Sequence, residues 1–202
     1  MNQRQNIGLI ILAAGASVRY GESKQLLSLN GETFLRRIVR ESSESVCLPI
    51  VVVFGADAEN LSRHIEDFGV YTVQNTDWKK GMGTSISAGI EKLLEVDEKA
   101  AGAVITVCDQ PFVDARIINH LVQNFAENQS SIVASRYAET LGVPALFSRK
   151  LFPELIKLKT SGGAKELIKR FSAETIAIDF SKGAIDVDTP EDFDRLQKHF
   201  VE

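Results

Sequence analysis

Residues Leu9 to Leu27 read LIILAAGASVRYGESKQLL, and no other stretch limits the possible folds as much. It opens inside a buried-type apolar run, Ile7 to Leu12. Three residues without bulk follow, Ala13, Ala14 and Gly15, and then two cations, Arg19 and Lys24, with Gly21 between them. A strand that ends in a small-residue loop leaves backbone N–H groups facing outward, where they can take an anion. A helix starting nearby would add the positive end of its dipole. Arginine forks onto phosphate oxygens, and lysine places a point charge among them. The stretch therefore predicts a phosphate cradle with two cations. The plainer alternative is a tight strand-to-helix turn carrying two solvated cations. Gly21 is followed by Glu22, Ser23, Lys24 and Gln25, so the GxxxxGK[ST] register is missing, and GxGxxG is absent as well.

Strand and helix patterns alternate from there. Asn30-Gly31 marks a turn, and Phe34, Leu35, Ile38 and Val39 recur at helical spacing. The run Pro49 to Phe54 reads as a strand buried on both faces, Asp57 as the cap of a short helix through Ile65, and Val70 to Gln74 as a weaker strand. Ser131 to Ala134 and Gly142 to Phe147 read as strands, the second followed by a helix around Leu151 to Leu158. Thr175 to Asp179 is a late strand. This alternation predicts an α/β fold, a largely parallel sheet flanked by helices, in one domain over residues 1–202.

Two further loops carry candidate chemistry. Asn75 to Ile86 reads NTDWKKGMGTSI. Gly81 and Gly83 permit close backbone approach or positive φ, and Thr84 and Ser85 can cap the helix that follows. By itself this is a plain glycine loop with a hydroxyl cap. The strand Ala103 to Val107 runs into Cys108-Asp109-Gln110-Pro111. A carboxylate just past the C-terminal end of a central strand stands where open α/β sheets bind ligands, and Asp109 there can hold Mg²⁺. The bland reading gives Asp109 and Pro111 a turn and Asp114 the cap of the next helix. Near the end, Thr189, Pro190, Glu191 and Asp192 fit a helix start. That start leaves Asp186 and Asp188 unexplained; their spacing puts both on one side of an extended segment, where they could complete a magnesium site with Asp109.

The pattern L-A-A-G-x-S-x-R-x-G-x-x-K-Q-L-L, with the GMGTS loop and CDQP in the same order, resembles the MobA-like nucleotidyltransferases, and within them the molybdenum cofactor cytidylyltransferase (MocA-like) branch. The resemblance covers nearly the whole chain. Tyr20 and Ser23 stand where that family usually has Met or Phe and Pro. It implies a Rossmann-like three-layer fold with an antiparallel strand in the second half. It implies nucleotide contacts from Leu12, Ala13, Ala14, Gly15, Arg19 and Lys24, from Gly81, Gly83, Thr84 and Ser85 in the second loop, and from Asp109. Arg19, Lys24 and Asp109 would be the catalytic residues, and Asp109 with Asp188 or Asp186 the Mg²⁺ ligands. The implied reaction moves CMP from CTP onto the terminal phosphate of molybdopterin, with a molybdenum hydroxylase as client. One segment departs: where the family reads L-x-G-D-x-G-A-[RK], this chain has Thr160 and Ser161 in place of the Gly and Asp. Gly163 and Lys165 keep the backbone and the cation. The altered segment keeps a nucleotidyltransferase for another phosphorylated small molecule in play. A non-catalytic cofactor-binding chaperone is the rival from outside enzymes.

The net charge of −4 argues against broad affinity for nucleic acid or membrane. Cys47 and Cys108 lie next to apolar runs, as buried thiols of a reducing compartment do. No apolar run approaches a membrane span, which leaves a cytoplasmic protein as the expectation. His64, His120 and His199 have no partners at zinc spacing.

Overall fold

The apolar runs predicted as strands lie side by side because each can be covered on both faces. In the computed structural model, which describes residues 6–15, 23–158, 162–187 and 189–201, β1 (Ile7–Ala13) is flanked by β4 (Ile50–Phe54) and β6 (Gly102–Val107), parallel to both. Two short strands, β2 (Ser28–Leu29) and β3 (Glu32–Thr33), form a separate hairpin closed by Asn30 and Gly31 at φ 52° and 84°. Beyond β4 lies β5 (Tyr71–Gln74). Beyond β6 lie β8 (Thr140–Ser148), β7 (Ile132–Tyr137) and β9 (Thr175–Asp179), giving a seven-stranded sheet ordered β5-β4-β1-β6-β8-β7-β9. Only β8 runs against its neighbours, so the C-terminal ends of the other strands share one edge.

Period-two alternation divides each buried run between two cores. Leu9, Ile11 and Ala13 of β1 face one core with Ile50, Val52 and Phe54 of β4. Ile10 and Leu12 face the other with Val51 and Val53. The first core is closed by α1 (Phe34–Ser43), α4 (Ala115–Asn128) and α7 (Pro190–Val201). The second is closed by α3 (Met82–Val96), α5 (Phe152–Ile156) and α6 (Ala164–Arg170). In α3 the side chains of Ile86, Ile90 and Leu93 are fully buried, and each contributes about 1.5–3 kcal/mol. The result is the expected α/β fold, a mixed sheet between two helical layers. No helix among the described residues is long and apolar enough to cross a membrane.

The start of α4 follows expectation, with Asp114 accepting from the Ile117 amide at 3.0 Å. At the start of α7, Thr189 and Asp192 cap each other reciprocally: Thr189 N donates to Asp192 Oδ2 at 2.8 Å, and Asp192 N to Thr189 Oγ1 at 3.2 Å. Other local expectations need correction. Asp57 precedes α2 (Ala58–Arg63) but does not cap it; its carboxylate accepts from Ser23 Oγ and Asn60 Nδ2. Thr84 and Ser85 do not cap α3, because the helix already begins at Met82 with Gly81 before it. The helix expected around Leu151 to Leu158 shrinks to α5, entered through a 3-10 turn, Arg149–Leu151, with Pro153 in its first turn.

Candidate active site

Three segments distant in sequence are joined at the shared edge of the sheet. The main chain carries Asp109 just past β6, where Cys108 N donates to Leu12 O of β1 at 3.1 Å. Val187 N donates to Asp109 O at 3.2 Å, which brings the segment before α7 back onto the same strand end. Lys24 closes the junction: its Nζ donates to Val187 O at 2.8 Å and lies 3.5 Å from Asp109 Oδ2. The Lys24 side chain is only 15% exposed, against 37% for Asp109, so the ion pair is partly buried. Less water around the pair strengthens it relative to a surface bridge.

The small-residue loop is shaped by its neighbour in sequence. Gln25 is buried, and its Nε2 donates to Ala13 O at 2.9 Å and to Gly15 O at 3.0 Å. A trans peptide points its C=O and N–H in opposite directions, so tying Ala13 O to Gln25 turns the Ala14 N–H away from it. On the far side the loop packs on Gly55, where a Cβ would stand 2.7 Å from Ala14 O and 3.2 Å from Trp78 Cγ. The next described element after this loop is a 3-10 turn, Lys24–Leu26. The expected helix start after this loop falls on residues 16–22, outside the described residues. Arg19 lies outside the described residues, as do Gly21, Tyr20, Thr160, Ser161 and Asp188.

The second loop is fastened by Asn75, which is buried at the end of β5. Its Nδ2 donates to Thr84 Oγ1 at 2.8 Å and to Ser85 Oγ at 2.9 Å, and its Oδ1 accepts from Asp77 N at 2.9 Å. Thr84 Oγ1 in turn donates to Gly81 O at 2.8 Å. The two hydroxyls hold the loop in shape, and Ser85 is buried in doing so. Gly81 has φ 126°, a conformation that favours glycine, whereas Gly83 is buried within the first turn of α3. Gly163, at the start of α6, abuts this loop: a Cβ there would stand 3.3 Å from Met82 Sδ.

Asp186 belongs to the same neighbourhood as Asp109. The Tyr137 hydroxyl is pushed above the ordinary phenol range by burial, and the charges of Asp186 and Asp109 push it the same way. That hydroxyl donates to Val143 O at 3.0 Å. Gln110 reaches across the space, its Nε2 donating to Gly183 O at 2.9 Å and lying 3.4 Å from Tyr137 Oη. Cys108 is not a nucleophile candidate: burial pushes its thiol far up, Asp109 adds to that, and Lys24 opposes it only in part.

The donor set suits a hard cation. The carboxylates of Asp109 and Asp186, oxygen donors with no thiolate or imidazole between them, match a Mg²⁺-type ion that keeps several waters. Among the described residues, no three His, Cys, Asp or Glu side chains converge as a metal-ligand cluster, so any ion here would draw most of its ligands from water and substrate. A separate cleft of about 580 Å³, with Arg37 of α1, Arg116 of α4 and Lys182 around Phe112 and Phe180, contains neither Lys24 nor Asp109 nor Asp186.

Sequence reasoning missed Gln25, Asn75, Gln110, Tyr137 and Gly183. Gln25 and Gln110 sit inside the motifs K-Q-L-L and C-D-Q-P, so a signal existed. Tyr137 and Gly183 had none, since their role comes from packing.

Comparison with known proteins agrees with this fold. The MobA-like NTP transferase domain matches residues 9–175. The chain is 29% identical to "Purine catabolism protein PucB" of Bacillus subtilis, over 94% of this chain and 95% of that protein. It is 21% identical to the molybdenum cofactor cytidylyltransferase of Escherichia coli, over 97% and 98%. The crystal structure of Rv0371C from Mycobacterium tuberculosis in complex with manganese superposes with a TM-score of 0.75 at 25% identity, covering 96% of this chain and 99% of that one. A sheet edge that gathers a lysine, two aspartates and a glycine-bounded loop, on a chain so matched, leads to one assignment: the chain belongs to the MobA-like NTP transferase family and is a nucleotidyltransferase.

Proposed function

We propose that the chain, acting as one domain, transfers CMP from CTP to the terminal phosphate of a molybdopterin-type acceptor. An acceptor phosphate oxygen attacks the α-phosphorus, the bond to the bridging oxygen breaks, and pyrophosphate leaves with the electron pair. Such a reaction asks the protein for alignment and charge neutralisation more than for covalent help. The observation that carries the reading is the meeting of Lys24, Asp109 and the Val187 segment at the strand edge.

In this reading the Ala13–Gly15 backbone and Lys24 receive the triphosphate, with Arg19 as a second cation. Gly81 and Gly83 let the second loop approach the nucleotide. Thr84 and Ser85 keep that loop in place through Asn75. Asp109, with Asp186 and Asp188, would hold Mg²⁺, which when bound neutralises charge on the reacting phosphate. Cytidine as the base rests on the LAAG and GMGTS resemblance and on the name of the Escherichia coli relative. A molybdenum hydroxylase is the client such a product would serve, and a reducing cytoplasm the compartment.

The altered Thr160-Ser161 segment favours a second reading, transfer to a different phosphorylated small molecule. Purified protein, CTP and Mg²⁺ are incubated with molybdopterin, with an alditol phosphate, or alone, and pyrophosphate is measured. Release with molybdopterin is the expected result. Release only with the alditol phosphate supports the second reading, and no release with any acceptor rejects transfer from CTP to either.

A further inference from the structure

The segment that carries Asp186 is pinned at two points, and one of them depends on Gln110. At its C-terminal end Val187 is held by the Asp109 main chain and by Lys24. At its N-terminal end lies the 3-10 turn Ser181–Ala184, whose Gly183 O accepts from Gln110 Nε2 at 2.9 Å. A carbonyl can only accept, so this bond fixes which way the Gln110 amide faces. The turn is pressed against aromatic rings as well: a Cβ on Gly183 would stand 2.6 Å from both Phe180 Cδ1 and Tyr137 Cδ1. The glycine is what lets the carbonyl come within reach of Gln110.

Gln110 achieves this at a cost. It is 6% exposed, and its Oε1 is buried with no hydrogen-bond partner among the described residues. A buried amide left half satisfied is less favourable than an apolar side chain of the same size. The position is therefore poorly explained by packing and better explained by the bond to Gly183 O, the shorter of the two that its Nε2 makes. That bond runs from the residue next to Asp109 to a residue three places before Asp186.

We propose that Gln110 is a positioning residue that sets the spacing between Asp109 and the Asp186 segment required by a divalent cation. This rests on the reading of Asp109 and Asp186 as cation ligands. Groups that orient metal ligands typically cost about 10–100-fold in metal affinity when removed.

The test is Mn²⁺ binding alone, without nucleotide, followed by the spectrum of the free ion for the wild type, Gln110→Met, Gly183→Ala and Asp109→Asn. Thermal unfolding of each metal-free protein runs alongside. Gln110→Met is expected to raise the Mn²⁺ Kd about tenfold or more. Its metal-free melting temperature should move little, because a buried unpaired oxygen is removed with the amide. Gly183→Ala should raise the Kd in the same direction, and it carries the test if Gln110→Met does not fold. A Mn²⁺ Kd within twofold of wild type in these variants, with Asp109→Asn losing binding, overturns the positioning role. Unchanged binding in Asp109→Asn overturns the underlying ligand assignment instead, and the positioning role with it.

Discussion

Lys24 Nζ donates at 2.8 Å to the main-chain carbonyl of Val187, a residue 163 positions away, while standing 3.5 Å from the Asp109 carboxylate. The cation thus joins the first loop of the chain to its last crossing of the sheet edge. Its ammonium has three donors, so it can hold Val187 O and still reach a phosphate.

Replacing Lys24 with Met should therefore weaken nucleotide binding more than folding. Loss of a charge-assisted hydrogen bond costs about 1.5–3 kcal/mol, or roughly 10- to 150-fold in Kd. Calorimetric titration with CTP measures it, and an unchanged Kd would falsify the assignment.

Asp109→Asn is expected to abolish turnover and leave the fold intact. The isostere keeps the volume, and the main-chain bond from Val187 N to Asp109 O does not involve the side chain. Circular dichroism should match wild type while pyrophosphate release disappears. Normal turnover in this variant would remove Asp109 from the chemistry.

Asn75→Ala tests the second loop. It removes the donor to Thr84 Oγ1 and Ser85 Oγ and the acceptor for Asp77 N, leaving the buried Ser85 hydroxyl without that donor. Such a loss costs about 1–3 kcal/mol, to be read from urea unfolding. The KM for the nucleotide should rise as well, since the loop loses its shape. A stability loss with KM unchanged would separate this loop from nucleotide binding.

CTP should outcompete GTP and ATP as donor in a mixed-substrate assay. Preference for GTP would move the chain to the guanylyl branch of the family.

Both thiols should resist a disulfide reagent in the folded protein at pH 8 and react once it is unfolded. Burial pushes Cys47 up to about 12 from an ordinary value of 9.0, and Cys108 rises for the same reason. Because the folded state keeps these protons longer, stability should fall as pH rises from about 9 toward 12. Rapid labelling at pH 8 without unfolding would show that one thiol is accessible.

The amino-acid order alone determined the centre of the fold. The apolar runs of β1, β4 and β6 are covered on both faces, so their composition announces them. The apolar spacing of α1 and the caps Asp114 and Thr189 are local chemistry, legible within a few residues. The same holds for Asp109 standing at a strand end. Tertiary structure decided what meets there. The run Gly142 to Phe147 marked a strand and the family resemblance an antiparallel strand in this half, but only the folded sheet shows that this strand is β8, inserted between β6 and β7. Thr84 and Ser85 looked like caps because hydroxyls before an apolar helix usually are, but Asn75, buried from another element, claimed them. Gln25 and Gln110 donate to the carbonyls of Ala13, Gly15 and Gly183, and Lys24 to that of Val187. Every residue has a carbonyl, so the accepting half of each bond leaves no mark in the sequence, and only the folded chain shows which one is used.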